Sequence, residues 1–375
     1  MTEEQVYSYA LTQIEGVGNV IAHRLWCEVG SASALFLQPE IWQKINPVLY
    51  KKIAKQLHDK RLIEEARDIC RRAEDKGLSL MCLSDEDYPE RLKVCDDAPM
   101  LLFFVGNRVR LHAPHIISVV GTRNADRYGK ELTSVLIKQL AQEVPELVVI
   151  SGLAYGIDIS AHKVALELGL ATFGVVGHGL DRIYPSVHRN TAIEMLQSGG
   201  LLSEFTIGSK PDRFNFVSRN RIVAALSEAT LVVQSASRGG ALITAHLAQN
   251  YNRTVFSVPG RITDPLFEGC NRLIADNIAH PALSGEEIAR LLEWKSNISP
   301  KHSSGTDVQP QDLFDTLEPV ARRINDFIVV HSGATVDELC FSLGMSVADI
   351  SVELFNLEMQ NLVQAGPGGI YISKV

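Results

Sequence analysis

The sequence has no run of apolar residues approaching the roughly 18 to 20 needed to span a bilayer, so no transmembrane helix is expected. It has no CxxC pair, and Cys27, Cys70, Cys82, Cys95, Cys270 and Cys340 are scattered. That pattern excludes a zinc ribbon and a disulfide framework, and predicts reduced thiols and no metal. No strand-like run is followed by GxGxxG with an acidic residue about 20 positions on, which removes the dinucleotide-dependent oxidoreductases. A basic start is missing too: Met1-Thr-Glu-Glu-Gln is acidic where a signal peptide is basic, so a cytoplasmic, unanchored protein is expected. Excess positive charge is also lacking. The chain of 375 residues carries 36 Lys+Arg against 44 Asp+Glu, and a net charge of −8 argues, for the molecule as a whole, against a nucleic-acid partner.

What is present is a soluble-type composition, 46% hydrophobic and 21% charged, long enough for two or three domains. Residues 1–62 read as a helical module, because apolar residues at helical spacing flank Gly16-Val-Gly18 in the form of a helix-hairpin-helix. The bare amides of such a turn can hold a phosphate; a tight turn between two helices is the alternative. From residue 63 to 295, short β-branched runs such as Ile116–Val120, Leu147–Ile150 and Ala229–Gln234 alternate with helical segments. This predicts a Rossmann-like, doubly wound parallel sheet. Residues 296–316, rich in Ser, Pro and Gly, read as a linker. Residues 317–375 read as three helices and a hairpin, a winged helix. That last stretch holds seven acidic and three basic residues, so a protein-contact or regulatory role fits it better than a duplex reader.

Ligands of an open parallel sheet bind beyond the carboxyl ends of its strands, which directs attention to four loops. In Gly121-Thr122-Arg123 the glycine permits a sharp turn, and the next amides with the arginine suit an anion. In Ser151–Asp158, Gly152 and Gly156 allow close backbone approach, while Asp158 and His162 form either an acid–base pair or, as the expected reading, an internal structural contact. In Gly177–Pro185, Tyr184 or Arg182 could stack on a base; a packed loop tyrosine explains Tyr184 equally well. Residues 210–221 carry Lys210, Arg213, Arg219 and Arg221 against Asp212, a net +3 with Phe214 and Phe216 interleaved. Cations that follow a phosphate backbone beside aromatic faces for bases are what sequence-tolerant single-strand binding requires. The alternative places both phenylalanines in the core and the arginines at a helix end.

Taken in order, Gly121–Arg123, Ser151–His162, Gly179–Pro185, Phe216–Ile222, Gly239–Ala245 and Asn271–Ile274 resemble the DNA-processing protein A family (DprA, also called Smf) over residues 80 to 285. The resemblance implies a cytoplasmic, non-enzymatic protein that binds and protects incoming single-stranded DNA in natural transformation. It also implies partners: single-strand-binding protein, which it helps displace, RecA, which it loads, and a second copy through the Rossmann-like domain. By motif position, Arg123, Arg213 and Phe216 correspond to the family's DNA contacts, with Gly121, Thr122, Gly152, Gly156, Lys210, Arg219, Asn220, Arg221, Gly239, Gly240 and Thr244 completing the expected site. Val217 stands where proline is usual, Arg213 where lysine is common, and Ser237-Arg-Gly-Gly240 departs from the usual Ser-Gly-Ser type of loop. No cofactor is expected. A rival reading is a nucleotide phosphoribohydrolase of the lysine-decarboxylase-like group. In its Gly-Gly-x-Gly-Thr-x-x-Glu loop this chain runs Gly239 to His246, with histidine in place of the carboxylate.

Overall fold

The structure is a computed structural model and describes residues 1–38, 40–294, 319–331, 333–359, 362–366 and 369–373. It divides into two compact units, Met1–Ile298 and Ser299–Val375. The expected linker, 296–316, lies outside the described residues.

The first unit opens with six helices: α1 (Glu3–Thr12), α2 (Asn19–Val29), α3 (Ala32–Leu37), α4 (Glu40–Ile45), α5 (Pro47–Leu57) and α6 (Lys60–Asp75). Their boundaries follow from capping chemistry. Thr2 and Gln5 form a reciprocal capping box at α1, Asn46 caps α5 with Pro47 at its first position, and Asp59 caps α6. Gly16, at φ +90°, makes the turn between α1 and α2 that the Gly-Val-Gly spacing predicts. Val6, Leu11, Trp42, Ile53 and Leu57 bury the apolar faces, and the Trp42 indole donates to the Leu35 carbonyl at 2.7 Å.

A nine-stranded sheet follows, built from β1 (Ser79–Cys82), β2 (Leu101–Gly106), β3 (Ile116–Val120), β4 (Val148–Ser151), β5 (Thr172–Val175), β6 (Gly200–Ser203), β7 (Ala229–Val232), β8 (Thr254–Ser257) and β9 (His280–Pro281). The spatial order is β1-β2-β6-β5-β4-β3-β7-β8-β9. All pairs from β6 through β9 are parallel; β1 with β2, and β2 with β6, are antiparallel. Every residue of β3, β4, β5 and β7 is buried, which is why these strands read as continuous apolar runs. In register, Ile117 of β3 lies opposite Val149 of β4 on one side and Ala229 of β7 on the other. The terminal β9 was not expected: His280 and Pro281 are exposed and carry no strand-like pattern, and pairing with β8 makes the strand.

Helix α7 (Glu90–Lys93) joins the antiparallel strands β1 and β2; crossovers between parallel strands run through α8 (Arg127–Glu143), α9 (Ile157–Glu167), α10 (Arg189–Met195), α11 (Arg213–Leu226), α12 (Gly240–Asn250) and α13 (Glu268–Ala275), and α14 (Gly285–Leu291) follows β9. Chain order runs outward from β3 in both directions, β4-β5-β6 one way and β7-β8 the other. The switch point therefore falls between β3 and β7, where the loops leaving the two strands part and open a crevice. No described helix is long and apolar enough to cross a membrane.

The second unit contains α15 (Pro319–Val330), α16 (Val336–Leu343) and α17 (Val347–Met359), with a sheet of β10 (Ala334–Thr335), β12 (Ile370–Ser373) and β11 (Val363–Ala365) in that order. Ile324, Ile328, Leu339, Ile350, Leu354 and Leu357 form its own core. The outward side of α17 presents Val347, Val352 and Phe355 with no Lys or Arg.

A cationic cleft at the switch point of the sheet

A cleft of about 1330 Å³ opens at this crevice, lined by the loops after β3, β4, β5 and β7 together with α11 and α12. Its lining includes Arg123, Arg182, Lys210, Arg213, Arg219 and Arg238, against two carboxylates, Asp158 and Asp212. Cations outnumber carboxylates six to two, and both carboxylates have local structural roles. Asp212 caps α11 by accepting from the Phe214 amide at 2.8 Å, and Asp158 is buried beneath the floor.

The floor is built from glycines and one buried arginine. Gly156, at φ +79°, passes so close to the Thr122 carbonyl that a Cβ would sit 2.1 Å from that oxygen, and a Cβ on Gly152 would run into the Arg219 guanidinium. These two glycines let neighbouring loops nest, rather than leaving room for a ligand. Gly239 and Gly240 differ, since a Cβ there would meet nothing closer than 3.5 Å. Gly239 is the N-cap residue of α12 and brings no side-chain cap, so that helix start faces the cleft with its dipole unmasked.

Arg219 is only 4% exposed; it donates to the Val175 carbonyl and lies within electrostatic reach of Asp158. Burial lowers its guanidinium to about 10, with the Asp158 charge opposing the shift. Burial raises the Asp158 carboxyl, countered by Arg219 and by the amides of Gly152 and Ala154, which donate to it at 3.2 and 3.4 Å. His162 is fully buried, with Nδ1 2.7 Å from the Thr172 hydroxyl, and burial pushes it down to about 3. Asp158 and His162 make no hydrogen bond with each other among the described residues; each is tied into the interior.

The rim carries an aromatic cluster. The Phe216 ring stacks on Tyr184 with centroids 5.7 Å apart and planes 26° apart, and the Arg123 guanidinium carbon lies 5.2 Å from its centre. Tyr184, for which stacking and loop packing are equal readings of the sequence, is 46% exposed and stands against Phe216. Phe214, by contrast, is 82% exposed and outside the cleft lining, so it joins neither the core nor the cluster.

The expected site residues separate into groups. Gly121, Thr122, Arg123, Lys210, Arg213, Phe216, Arg219, Asn220, Gly239, Gly240 and Thr244 all line the cleft. Asn220 donates to the Gly240 carbonyl at 3.3 Å, and the Thr244 hydroxyl bonds back to that carbonyl at 3.1 Å, which ties α11 to α12. Arg221 is not brought to the cleft: it is 7% exposed and held by Glu204 and by Asp97, the latter at 3.9 Å. It lies eight residues, about 12 Å along the helix axis, beyond Arg213, where Glu204 and Asp97 rather than the cleft meet α11. Arg238 and Arg182 complete the cationic lining; Arg238 was signalled only by its place beside two glycines, and Arg182 pairs with Asp181 at 3.1 Å.

Fold and cleft together define a Rossmann-like α/β protein with a winged helix and a cation-lined crevice at the sheet's switch point. Residues 79–293 match the family of the DNA recombination-mediator protein A, and residues 305–369 match the DprA winged helix domain. The chain belongs to that family of DNA-processing proteins. It is 29% identical to protein Smf of Synechocystis over 98% of both chains. The crystal structure of DNA processing protein A from Streptococcus pneumoniae superposes with a TM-score of 0.60 at 30% identity, covering 77% of this chain and 98% of that one. DNA processing protein A from Helicobacter pylori, whose structure describes a single-stranded DNA binding mode, gives 0.53 at 30% identity over 58% and 97%.

Proposed function

We propose that the cleft binds single-stranded DNA without sequence preference, and that this is how the protein processes DNA in transformation. The observation that carries the reading is the Tyr184–Phe216–Arg123 cluster on the rim of a cleft lined by six cations. Bases stack on the aromatic and guanidinium planes while Lys210, Arg213 and Arg238 follow the phosphates. A duplex keeps its base faces stacked inside and cannot use such a cluster. The single-stranded DNA bound by the Helicobacter pylori relative supports the same reading.

The chain acts as a cytoplasmic, non-enzymatic binder: it shields the strand, helps displace single-strand-binding protein and hands the strand to RecA, working as a dimer through the Rossmann-like domain. Residues 63–295 do the binding in this scheme, with 1–62 as an accessory module continuous with them and 317–375 as a second one joined through 296–316. The deciding experiment is a fluorescence anisotropy titration of single-stranded and duplex oligonucleotides at two salt concentrations. Tighter single-strand binding, weakened by Arg213→Gln across all sequences, is expected. Equal affinity for duplex, or release of base from nucleoside monophosphates, would replace this reading with another.

A further inference from the structure

The N-terminal helices carry a concentration of positive charge that the cleft does not use. Residues 44–61 contain Lys44, Lys51, Lys52, Lys55, Lys60 and Arg61 against the single carboxylate Asp59, a net +5 in a chain of net −8. Asp59 is spent on Arg61, with two contacts of 3.1 and 3.2 Å. The five lysines are all exposed, and none has an ion-pair or side-chain hydrogen-bond partner among the described residues. Helix α5 is sharply two-sided: Ile53 and Leu57 are buried in the module, and Lys51, Lys52 and Lys55 occupy the outward side within little more than one turn.

This lysine row is joined to the cleft by a chain of contacts. Gln56, one helical turn beyond Lys52 on the same side of α5, accepts from the Glu15 amide at 2.9 Å and so lies against the Gly16-Val-Gly18 turn. Asn19, directly after that turn, donates to Glu204 at 3.3 Å. Glu204 in turn accepts from Ser218 and Arg221 of α11, the helix that carries Arg213 and Phe216. These contacts, the last of them buried, hold the lysine-bearing module in a fixed place against the helix that carries the cleft residues.

We propose that α5 and the adjoining glycine turn form a second contact surface for a nucleic-acid phosphate backbone, taken up by the part of a strand that extends beyond the cleft. Unpaired lysines on a rigid helix suit a repeating anion, and they read no base. A membrane surface fits less well, because an interfacial helix needs a broad outward apolar face, and beside its lysines α5 exposes Val48 while Ile53 and Leu57 are buried. The surface goes beyond the cleft reading and is tested separately from it.

The test uses the full chain carrying Lys51→Gln, Lys52→Gln and Lys55→Gln together, with anisotropy titrations at three salt concentrations. An oligonucleotide of about 8 nucleotides, matched to the cleft alone, is bound as in the wild type, which also reports an intact fold. For a single strand of roughly 40 nucleotides, losing three phosphate contacts makes the slope of log K against log salt shallower by about 2. Over a fourfold rise in salt the variant then loses roughly 10 to 20 times less affinity than the wild type. A duplex with a single-stranded tail serves as the second arm: a larger loss there than on the plain long strand assigns the surface to duplex backbone, an equal loss to single strand. Unchanged slope and affinity on both long substrates would overturn the proposal, and so would protein binding to anionic vesicles abolished by the same three changes while DNA binding is kept. A loss on the short oligonucleotide equal to that on the long one would overturn it too, by placing the lysines in the cleft's own binding.

Discussion

Replacing Phe216 by alanine separates stacking from charge in the cleft. The ring has two neighbours, Tyr184 at 5.7 Å and the Arg123 guanidinium at 5.2 Å, and it stands over Gly177, where a Cβ would come within 2.9 Å of it. A base stacked on this cluster contributes about 1 to 3 kcal/mol, so Phe216→Ala weakens single-strand binding roughly 5- to 150-fold. The phosphate contacts are untouched, so the slope of log K against log salt stays as in the wild type. Arg123→Gln does the reverse, making that slope shallower by about 0.7 on a single strand. Because the guanidinium lies over the ring, the two changes are coupled by about 0.5 to 1 kcal/mol in a double-mutant cycle. Anisotropy titrations of the four proteins over several salt concentrations give all three quantities. Wild-type affinity in the Phe216 variant, or a salt slope altered as much as by Arg123→Gln, would refute the stacking argument; the melting temperature checks that the fold is kept.

Two further outcomes concern the floor. Arg219→Met leaves Asp158 buried without the opposing charge, and the folded state should lose about 3 to 5 kcal/mol in denaturant titrations; a variant of unchanged stability with weak DNA binding would show that Arg219 acts as a surface contact instead. His162 is held at about 3 in the folded chain, below its ordinary value near 6.5, so the unfolded chain takes the proton first as pH falls. The stability this contributes is complete above about pH 6.5 and is lost on acidification toward about pH 3, at about 1.4 kcal/mol per pH unit. Its Nε2 has no partner among the described residues, so a proton there would gain no hydrogen bond. Unfolding free energies at pH 7 and 5 should differ less in His162→Gln than in the wild type, and an equal difference would sink the assignment.

Local chemistry in the sequence decided a large part of the architecture. The all-apolar runs of β3, β4 and β7 can be satisfied only by a sheet covered on both faces, and alternation with helices makes that sheet parallel. Such a sheet places its ligand loops at one edge, so Gly121–Arg123 was legible as a candidate loop from position alone, whereas Gly239–Gly240 entered only through the family resemblance. The density of cations and aromatics in residues 210–221 was legible too, against a misleading net charge of −8. What the sequence could not assign was the depth and direction of each side chain. Arg213, Arg219 and Arg221 look alike along the chain, yet one is exposed on the rim, one is buried under the floor and one is paired with Glu204 away from the cleft. That difference arises because a helix packed on a sheet presents successive turns to solvent, to loops and to neighbouring elements. Tyr184 met Phe216, and Gln56 met Glu15, only through such packing, across separations in sequence that no local pattern encodes.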